Sequence, residues 1–175
     1  APRPGEEPSG YLLQIGIIPT HSLLRMIQKL TEHDRENLQE SLATSGQKVT
    51  AQREIVFAVL LAKRDHPTVE DVFQRARESM PGLSLATVYN CLETFVGCGL
   101  VRQVNHERES TRYCPNLAPH AHFRDEATGH VHDIELPPEI IQSLRSILPA
   151  GFNSETIEIS FRGRSQETAP RSTSN

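Results

Sequence analysis

The chain has 175 residues, of which 37% are hydrophobic and none is tryptophan, and its formal net charge at pH 7 is −4. No apolar run reaches membrane-spanning length, no signal-peptide pattern opens the chain, and the three cysteines form no CxxC pair, so we expect a cytoplasmic protein without a disulfide framework. A negative net charge gives no global case for nucleic-acid binding, and such a function would have to come from local organisation.

Five helices are predicted in the first hundred residues, from apolar residues at helical spacing and from start and stop signals. They span 19–31 after Pro19, 34–45 before Gly46, a third segment from Thr50 to the RDHP sequence, a fourth opened by the capping-box pattern TVED at 68–71, and 84–98 between Ser84 and Gly99. The last two are joined by a short Pro-Gly turn, which is typical of a helix-turn-helix.

Two alternating segments follow these helices and predict a β-hairpin. They are LVRQV at 100–104 and STRYC at 110–114, with the polar loop NHERE between them. Helix, turn, helix and hairpin is the order of a winged helix, which we favour over an unspecified α+β domain.

The remaining pattern predicts a small α+β unit. Strands are expected at 120–123, 130–136 and 156–161, with an amphipathic helix at 138–148. So small a unit cannot bury its own apolar residues, and we expect it to pair with a second copy. The whole chain is therefore predicted to be an α+β protein.

Four of the eight histidines lie within thirteen residues, as His120, His122, His130 and His132. Residues i and i+2 of a strand face the same way, so each pair could direct two imidazoles into one site. Two imidazoles and a carboxylate suit a transition metal. Asp133 is the expected carboxylate because a returning strand would place it beside His122, whereas Asp125 and Glu126 are predicted to be solvated.

The cysteines narrow the choice of metal site. Without two CxxC pairs, a four-cysteine structural zinc site cannot be built. Cys91 is predicted to be a small core residue and Cys98 has no evident partner. Cys114 differs, because it stands at the end of the hairpin, just before the first histidine pair.

The segments DHPTVEDVF, PGLSLATVYNCLETFVGCGLV, RYC, PHAH and HVHD, in this order and spacing, resemble the ferric uptake regulator family over about residues 36 to 162. The resemblance implies a homodimeric, metal-dependent transcription regulator that binds palindromic double-stranded operator DNA, most often as a repressor, and not an enzyme. It implies a winged-helix DNA-binding domain, placed at 34–115, and an α+β dimerisation and metal-sensing domain, placed at 116–162. Outside these, we expect an N-terminal extension with an extra helix at 1–33 and a tail at 163–175 whose polar composition predicts disorder.

The resemblance also implies site residues. The metal ligands would be His66, Cys114, His120, His122 and Asp133. The DNA contacts would be Lys48, Ser84, Thr87, Tyr89 and Asn90. A ligand at His66, far from the others in sequence, would connect the two domains. Ser84 could instead serve only as a helix cap, and Thr87 could only pack.

Departures from the family pattern limit the expected cofactor. The stretch FRDEATGHVHD lacks the CxxC that holds structural zinc in most relatives. The iron response regulators and some peroxide sensors of the family also lack it. Pro119, Ala121 and Glu155 stand where a second histidine-rich site would have ligands. We therefore expect one regulatory divalent transition metal per chain, Fe²⁺ or Mn²⁺ in function, with Zn²⁺ as an ion that the purified protein could carry, and no four-cysteine zinc.

The role of Cys114 stays open, because relatives often carry a carboxylate at its position. As a thiolate ligand it would shift the preference towards Zn²⁺ or Co²⁺. It could also be a redox sensor, a haem ligand within Cys114-Pro115, or a half-buried bystander.

Two other functions compete with this interpretation. HAHFRDE fits H-x-H-x-x-x-E, the first half of a cupin-type mononuclear metal enzyme in which Glu126 would be a ligand. A cupin, however, needs many consecutive strands around this motif. The third candidate is a metal-independent winged-helix protein whose histidines are incidental.

Overall fold

The structure is a computed structural model that describes residues 30–106 and 109–164. Its elements in chain order are α1 (Glu32–Thr44), α2 (Ala51–Ala62), α3 (Val69–Arg77), α4 (Leu85–Gly97), β1 (Arg102–Val104), β2 (Arg112–Cys114), β3 (His120–Asp125), β4 (Val131–Glu135), α5 (Pro138–Ser146) and β5 (Ser160–Gly163). Of the helix predicted at 19–31, only Leu30 and Thr31 are described. The tail predicted from Gly163 begins within β5, and from residue 165 it lies outside the described part.

Side-chain caps start the helices of the N-terminal half. Thr31 and Asp34 form a capping box, so α1 begins two residues earlier than predicted. Thr68 and Asp71 form the same motif at α3. Thr50 and Ser84 each accept a hydrogen bond from a backbone N–H of the first turn, as the sequence predicts for α2 and α4.

One hydrophobic core joins α1 to α4. It includes Leu38 and Leu42 of α1, residues 55–60 of α2, and Leu92 and Phe95 of α4, all of which are buried. Phe57 and Phe95 meet edge to face with ring centroids 5.5 Å apart. This core fixes α4 relative to the other helices.

Two small sheets complete the fold. Strands β1 and β2 form the antiparallel hairpin predicted from the sequence, called the wing below. In the second sheet, called the C-terminal sheet, β3 lies between antiparallel β4 and parallel β5. The strand predicted at 156–161 lies a few residues later, at Ser160–Gly163. Its pairing with β3 begins at the hydrogen bond from His122 N to Ile159 O and continues to Gly163.

The C-terminal unit leaves apolar side chains in solvent. Helix α5 has no buried residue, although its sequence is amphipathic. Large exposed apolar residues of this unit are Leu117, Ile134, Ile140, Ile147, Leu148, Phe152 and Phe161. None of the helices in residues 30–106 and 109–164 is long and apolar enough to cross a membrane.

Candidate metal centre

His66 lies in the loop between α2 and α3 and adopts a left-handed backbone conformation, with φ of 53°. This conformation costs a non-glycine residue roughly 1–2 kcal/mol. Neighbouring groups hold it: Arg112 Nη1 donates to the His66 carbonyl at 3.0 Å, and Tyr113 N donates to the Pro67 carbonyl at 3.0 Å. The loop is thereby anchored to β2, and the His66 side chain is buried against the C-terminal sheet.

Ion pairs support the same loop from the side of the helices. Arg75 donates to both carboxylate oxygens of Asp65 at 2.8 Å, and Lys63 Nζ lies 2.8 Å from Asp65 Oδ2. Burial by itself raises the pKa of Asp65, but the hydrogen bonds from Arg75 and Lys63 outweigh it and hold that pKa at about 2. The loop before His66 is therefore tied to α3 by an ionised carboxylate.

Strands β3 and β4 supply three more donors. His120 and His122 project from one face of β3, and Asp133 is the register neighbour of His122 on β4. The strand return thus places Asp133 beside His122, as the sequence predicts. Cys114 reaches the same place from the end of β2.

The five side chains converge on one point, with one ligand atom of each within 4.8 Å of all the others. Asp133 Oδ1 is 2.8 Å from His66 Nε2, 3.4 Å from His120 Nε2 and 3.7 Å from His122 Nε2. His120 Nε2 and His122 Nε2 are 2.9 Å apart, and Cys114 Sγ is 3.5 Å from His120 Nε2.

Hydrogen bonds to the far side of three of these side chains orient their ligand atoms towards the centre of the cluster. His66 Nδ1 bonds the Val131 carbonyl at 3.1 Å, and His120 Nδ1 bonds the Ala118 carbonyl at 2.7 Å. Because a carbonyl only accepts, each Nδ1 carries a proton, and each Nε2 faces the centre. Asn116 Nδ2 donates to Asp133 Oδ2 at 2.8 Å and leaves Oδ1 facing the imidazoles.

The protonation states of His66, His122 and Asp133 suit a cation, whereas the Cys114 thiol would first have to lose its proton. Burial, followed by the nearby His66 and His120, lowers the pKa of His122 to about 4. Burial also lowers the pKa of His66, against the attraction of Asp133. Burial raises the pKa of the Cys114 thiol to about 11. For Asp133, burial acts to raise the pKa, but the Asn116 hydrogen bond and the histidines lower it overall.

The donor set fits a divalent transition metal. His66 Nε2 is buried and has no hydrogen-bond partner among the described residues, although Asp133 Oδ1 lies 2.8 Å away. A buried polar atom without a partner is unfavourable, and it finds one when a cation binds between it and the carboxylate. Imidazole nitrogens, a carboxylate oxygen and a sulfur are ligands that such metals take.

Other residues considered in the sequence lie elsewhere. His130 and His132 are exposed, with their ring centroids 6.4 Å apart, and are not part of the cluster. The prediction that Asp125 is solvated is wrong: it is 2% exposed and accepts hydrogen bonds from Ala127 N and Thr128 Oγ1, which fold the turn after β3. Glu126 is exposed, as predicted. Cys91 lies in the helical core, as predicted.

The residues expected to contact DNA lie at the surface, on α4 and before α2. Ser84 caps α4 through Thr87 N at 3.1 Å, and its hydroxyl is 2.8 Å from that of Thr87, which is half-buried. Tyr89 is 42% exposed, although it is a large aromatic residue, and Asn90 is exposed beside it. Lys48 is exposed in the segment before α2.

Sequence reasoning missed three residues that position these sites. Arg53 donates to the Lys48 carbonyl at 2.6 Å and to Thr94 Oγ1 at 3.3 Å, and so holds the segment before α2 against α4. Asn116 orients Asp133, and Arg112 holds the backbone of His66. No local pattern marks them, because their partners lie between 5 and 46 residues away along the chain.

Helices α1 to α4 and the wing together form a winged helix, and the five-donor cluster lies between this unit and the small C-terminal sheet. This combination is that of a metal-responsive transcription regulator. The comparisons with known proteins agree with this class. The chain belongs to the ferric uptake regulator family, whose model matches residues 44–162.

Individual relatives agree with this assignment. The peroxide-responsive repressor PerR of Staphylococcus aureus is 31% identical over 106 residues, which are 61% of this chain and 72% of that protein. The ferric uptake regulator of Pseudomonas aeruginosa with manganese is 27% identical, with a TM-score of 0.63 over 73% of this chain and 97% of that one. The Helicobacter pylori ferric uptake regulator, at 20% identity, shares the fold with a TM-score of 0.67 over 79% and 94% of the two chains.

Proposed function

We propose that this regulator is a homodimeric repressor in which His66, Cys114, His120, His122 and Asp133 hold one divalent transition metal, and that the metal controls operator binding. The observation that carries this proposal is the origin of the donors. His66 comes from the helical unit, whereas His120, His122 and Asp133 come from the C-terminal sheet. A bound ion would link the two units directly.

The residues of the chain explain how such a link would reach the DNA. His66 is followed by α3, which packs on α4 in the helical core. A fixed His66 therefore fixes α4, the helix that carries Tyr89 and Asn90. A ligand that favours one arrangement of two units shifts their population towards it. Typical couplings of this kind change affinity by roughly 5- to 150-fold.

A dimer would place two α4 helices against one duplex. The exposed apolar residues of α5 and of the neighbouring strands and loops form the surface that a second copy would cover. Helix-turn-helix dimers read two half-sites about one helical turn apart, which is why their operators are palindromes. Lys48, Ser84, Thr87, Tyr89 and Asn90 are the proposed contacts with that DNA.

Fe²⁺ or Mn²⁺ is the proposed physiological ion. The three imidazoles and the carboxylate suit both, whereas a Cys114 thiolate would favour Zn²⁺. One similar protein is described as a ferric uptake regulator with manganese. Another, at 26% identity and a TM-score of 0.58, is a zinc-bound manganese uptake regulator, and Zn²⁺ is proposed as the ion found after purification.

Metal removal is expected to weaken operator binding reversibly. The test is elemental analysis of the purified chain, followed by mobility-shift assays with a duplex selected from a random library. We expect close to one metal per chain, loss of the shift after chelation, and its return when Mn²⁺ or Fe²⁺ is added under anaerobic conditions. A chelator-indifferent shift would instead support the metal-independent winged-helix alternative.

Replacing Cys114 with alanine tests whether the thiol is a ligand. Burial keeps this thiol protonated at neutral pH, so coordination must release its proton. At pH 8 in weak buffer, we expect close to one proton released per Zn²⁺ bound by the wild type and far fewer by Cys114→Ala. Cys91→Ala is the matched control, because it removes a buried thiol of similarly raised pKa from the helical core. Equal release by wild type and Cys114→Ala would make Cys114 a bystander.

The cupin-type interpretation of HAHFRDE is not supported. Glu126 is exposed and lies outside the cluster, where Asp133 supplies the carboxylate instead. Within the part of the chain that the structure describes, the sheet around the motif has three strands and is flanked in sequence by helices. The relatives named above are regulators, which also favours a protein that is not an enzyme.

A further inference from the structure

A second group of charged side chains lies where the wing meets the C-terminal sheet. Arg124 follows His122 on the same face of β3. Its Nε donates to Glu109 Oε1 at 2.8 Å, and its Nη2 donates to the same oxygen. Glu109 precedes β2, in the segment that connects the two wing strands. The ion pair therefore joins the wing to the strand that carries His120 and His122.

This pairing leaves donors unused. A guanidinium matches a carboxylate best when two N–H groups meet two oxygens, but here one oxygen of Glu109 receives both. Arg124 Nη1, Arg112 Nε and His106 Nε2 are buried and have no hydrogen-bond partner within residues 30–106 and 109–164. They are three of the five such atoms, so the deficit is concentrated at this junction.

Positive charge is also in excess here. Arg162 of β5 is the register neighbour of Arg124, and like charges side by side on neighbouring strands repel. Arg112 Nη2 lies 3.4 Å from the Gly129 carbonyl, and Arg124 Nη1 would lie 3.5 Å from a Cβ at Gly129, so both guanidinium groups reach the same turn. Among the described residues, Glu109 supplies the carboxylate that pairs with Arg124, and the nearby Asp125 carboxylate accepts hydrogen bonds from Ala127 N and Thr128 Oγ1.

We propose that Arg124, Arg112 and Arg162 form an oxyanion-binding site between the wing and the C-terminal sheet. Glu109 fills it from within the chain, and a carboxylate or tetrahedral oxyanion from solution displaces it. An anion with several acceptor oxygens reaches Arg124 Nη1 and Arg112 Nε, which Glu109 leaves unpaired. Displacing Glu109 removes a contact between wing and sheet, so the anion is a second ligand acting on the same junction as the metal. The site itself does not require the metal.

The test is isothermal titration of the metal-loaded 175-residue chain with sodium sulfate and, separately, with sodium malonate. Sodium chloride at matched ionic strength is the reference. Low millimolar concentrations keep the general exclusion of sulfate from protein surfaces small. We expect both oxyanions to bind and chloride not to bind. The stronger of the two shows whether the site prefers a tetrahedral oxyanion or a carboxylate.

Three variants distinguish specific binding at the arginine cluster from nonspecific electrostatic attraction of anions to the protein. Arg124→Gln is expected to weaken sulfate binding about tenfold or more, because it loses a charge-assisted donor pair. Arg77→Gln removes the same charge from an exposed position at the end of α3 and is expected to bind as the wild type does. Glu109→Gln is expected to bind more tightly, because the internal competitor is neutral.

Several results would overturn this site. They are equal binding of chloride and sulfate, equal weakening by Arg77→Gln and Arg124→Gln, or weaker binding by Glu109→Gln. If Arg124→Gln does not fold, the comparison of wild type, Glu109→Gln and Arg77→Gln still decides.

Discussion

Replacing His66 with alanine is expected to abolish the metal dependence of DNA binding while the chain stays folded. His66 is the only member of the five-donor cluster that the helical unit contributes. Without it, the remaining donors could still hold an ion within the C-terminal unit and at Cys114, but the loop before α3 would supply no ligand to that ion. Operator affinity with Mn²⁺ should fall by roughly 5- to 150-fold, to the level of the chelated wild type.

Alanine is the suitable substitution because it removes the imidazole and leaves the backbone strain at position 66 almost unchanged. It meets the same left-handed conformation as histidine, with φ of 53°, and so neither relieves nor adds much strain. His132→Ala is the matched control, because His132 is an exposed histidine of β4 outside the cluster. Mobility shifts with and without Mn²⁺, alongside circular dichroism, provide the measurement. An unchanged metal response in His66→Ala would refute the proposed link between the two units.

Phe95→Ala is expected to have the largest effect on stability. Phe95 is fully buried on α4 and meets Phe57 of α2 edge to face. Truncating a buried phenylalanine typically costs 3–5 kcal/mol, about a third or more of the stability of an ordinary domain. The midpoint of thermal unfolding should fall by more than about 10 °C, because a helical unit of this size has a small unfolding entropy.

The same substitution should weaken DNA binding without touching the proposed contacts. Phe95 seats α4 in the core, whereas Tyr89 and Asn90 lie on its exposed side. Glu93→Ala is the control, since Glu93 is an exposed residue of the same helix. Differential scanning calorimetry measures the first effect and mobility shifts the second. A change below about 1 kcal/mol, the centre of the distribution for ordinary mutations, would show that α4 is not held by this contact.

Whether a contact could be predicted from the sequence depended on how far apart its two residues lie along the chain. Thr68 and Ser84 could be read as caps because their partners, Asp71 and Thr87, stand three residues later. Asp133 could be paired with His122 because a single turn between two alternating strands sets their register. The prediction that Asp125 is solvated is wrong because its burial comes from the hydrogen bonds that it accepts in the turn after β3, which the sequence pattern does not show.

The sequence by itself determined the helix caps, the hairpin, the α+β class and, through family resemblance, the residues of the candidate metal centre. These depend on local periodicity, on short turns and on motifs whose spacing can be read directly. Only the tertiary structure decided that His66 is held in a left-handed turn by Arg112, that Asn116 turns Asp133 towards the imidazoles, and that Arg124 meets Glu109 across the junction. Such contacts join residues that are distant in the chain, and their geometry exists only once the strands have paired in register and the helical core has packed.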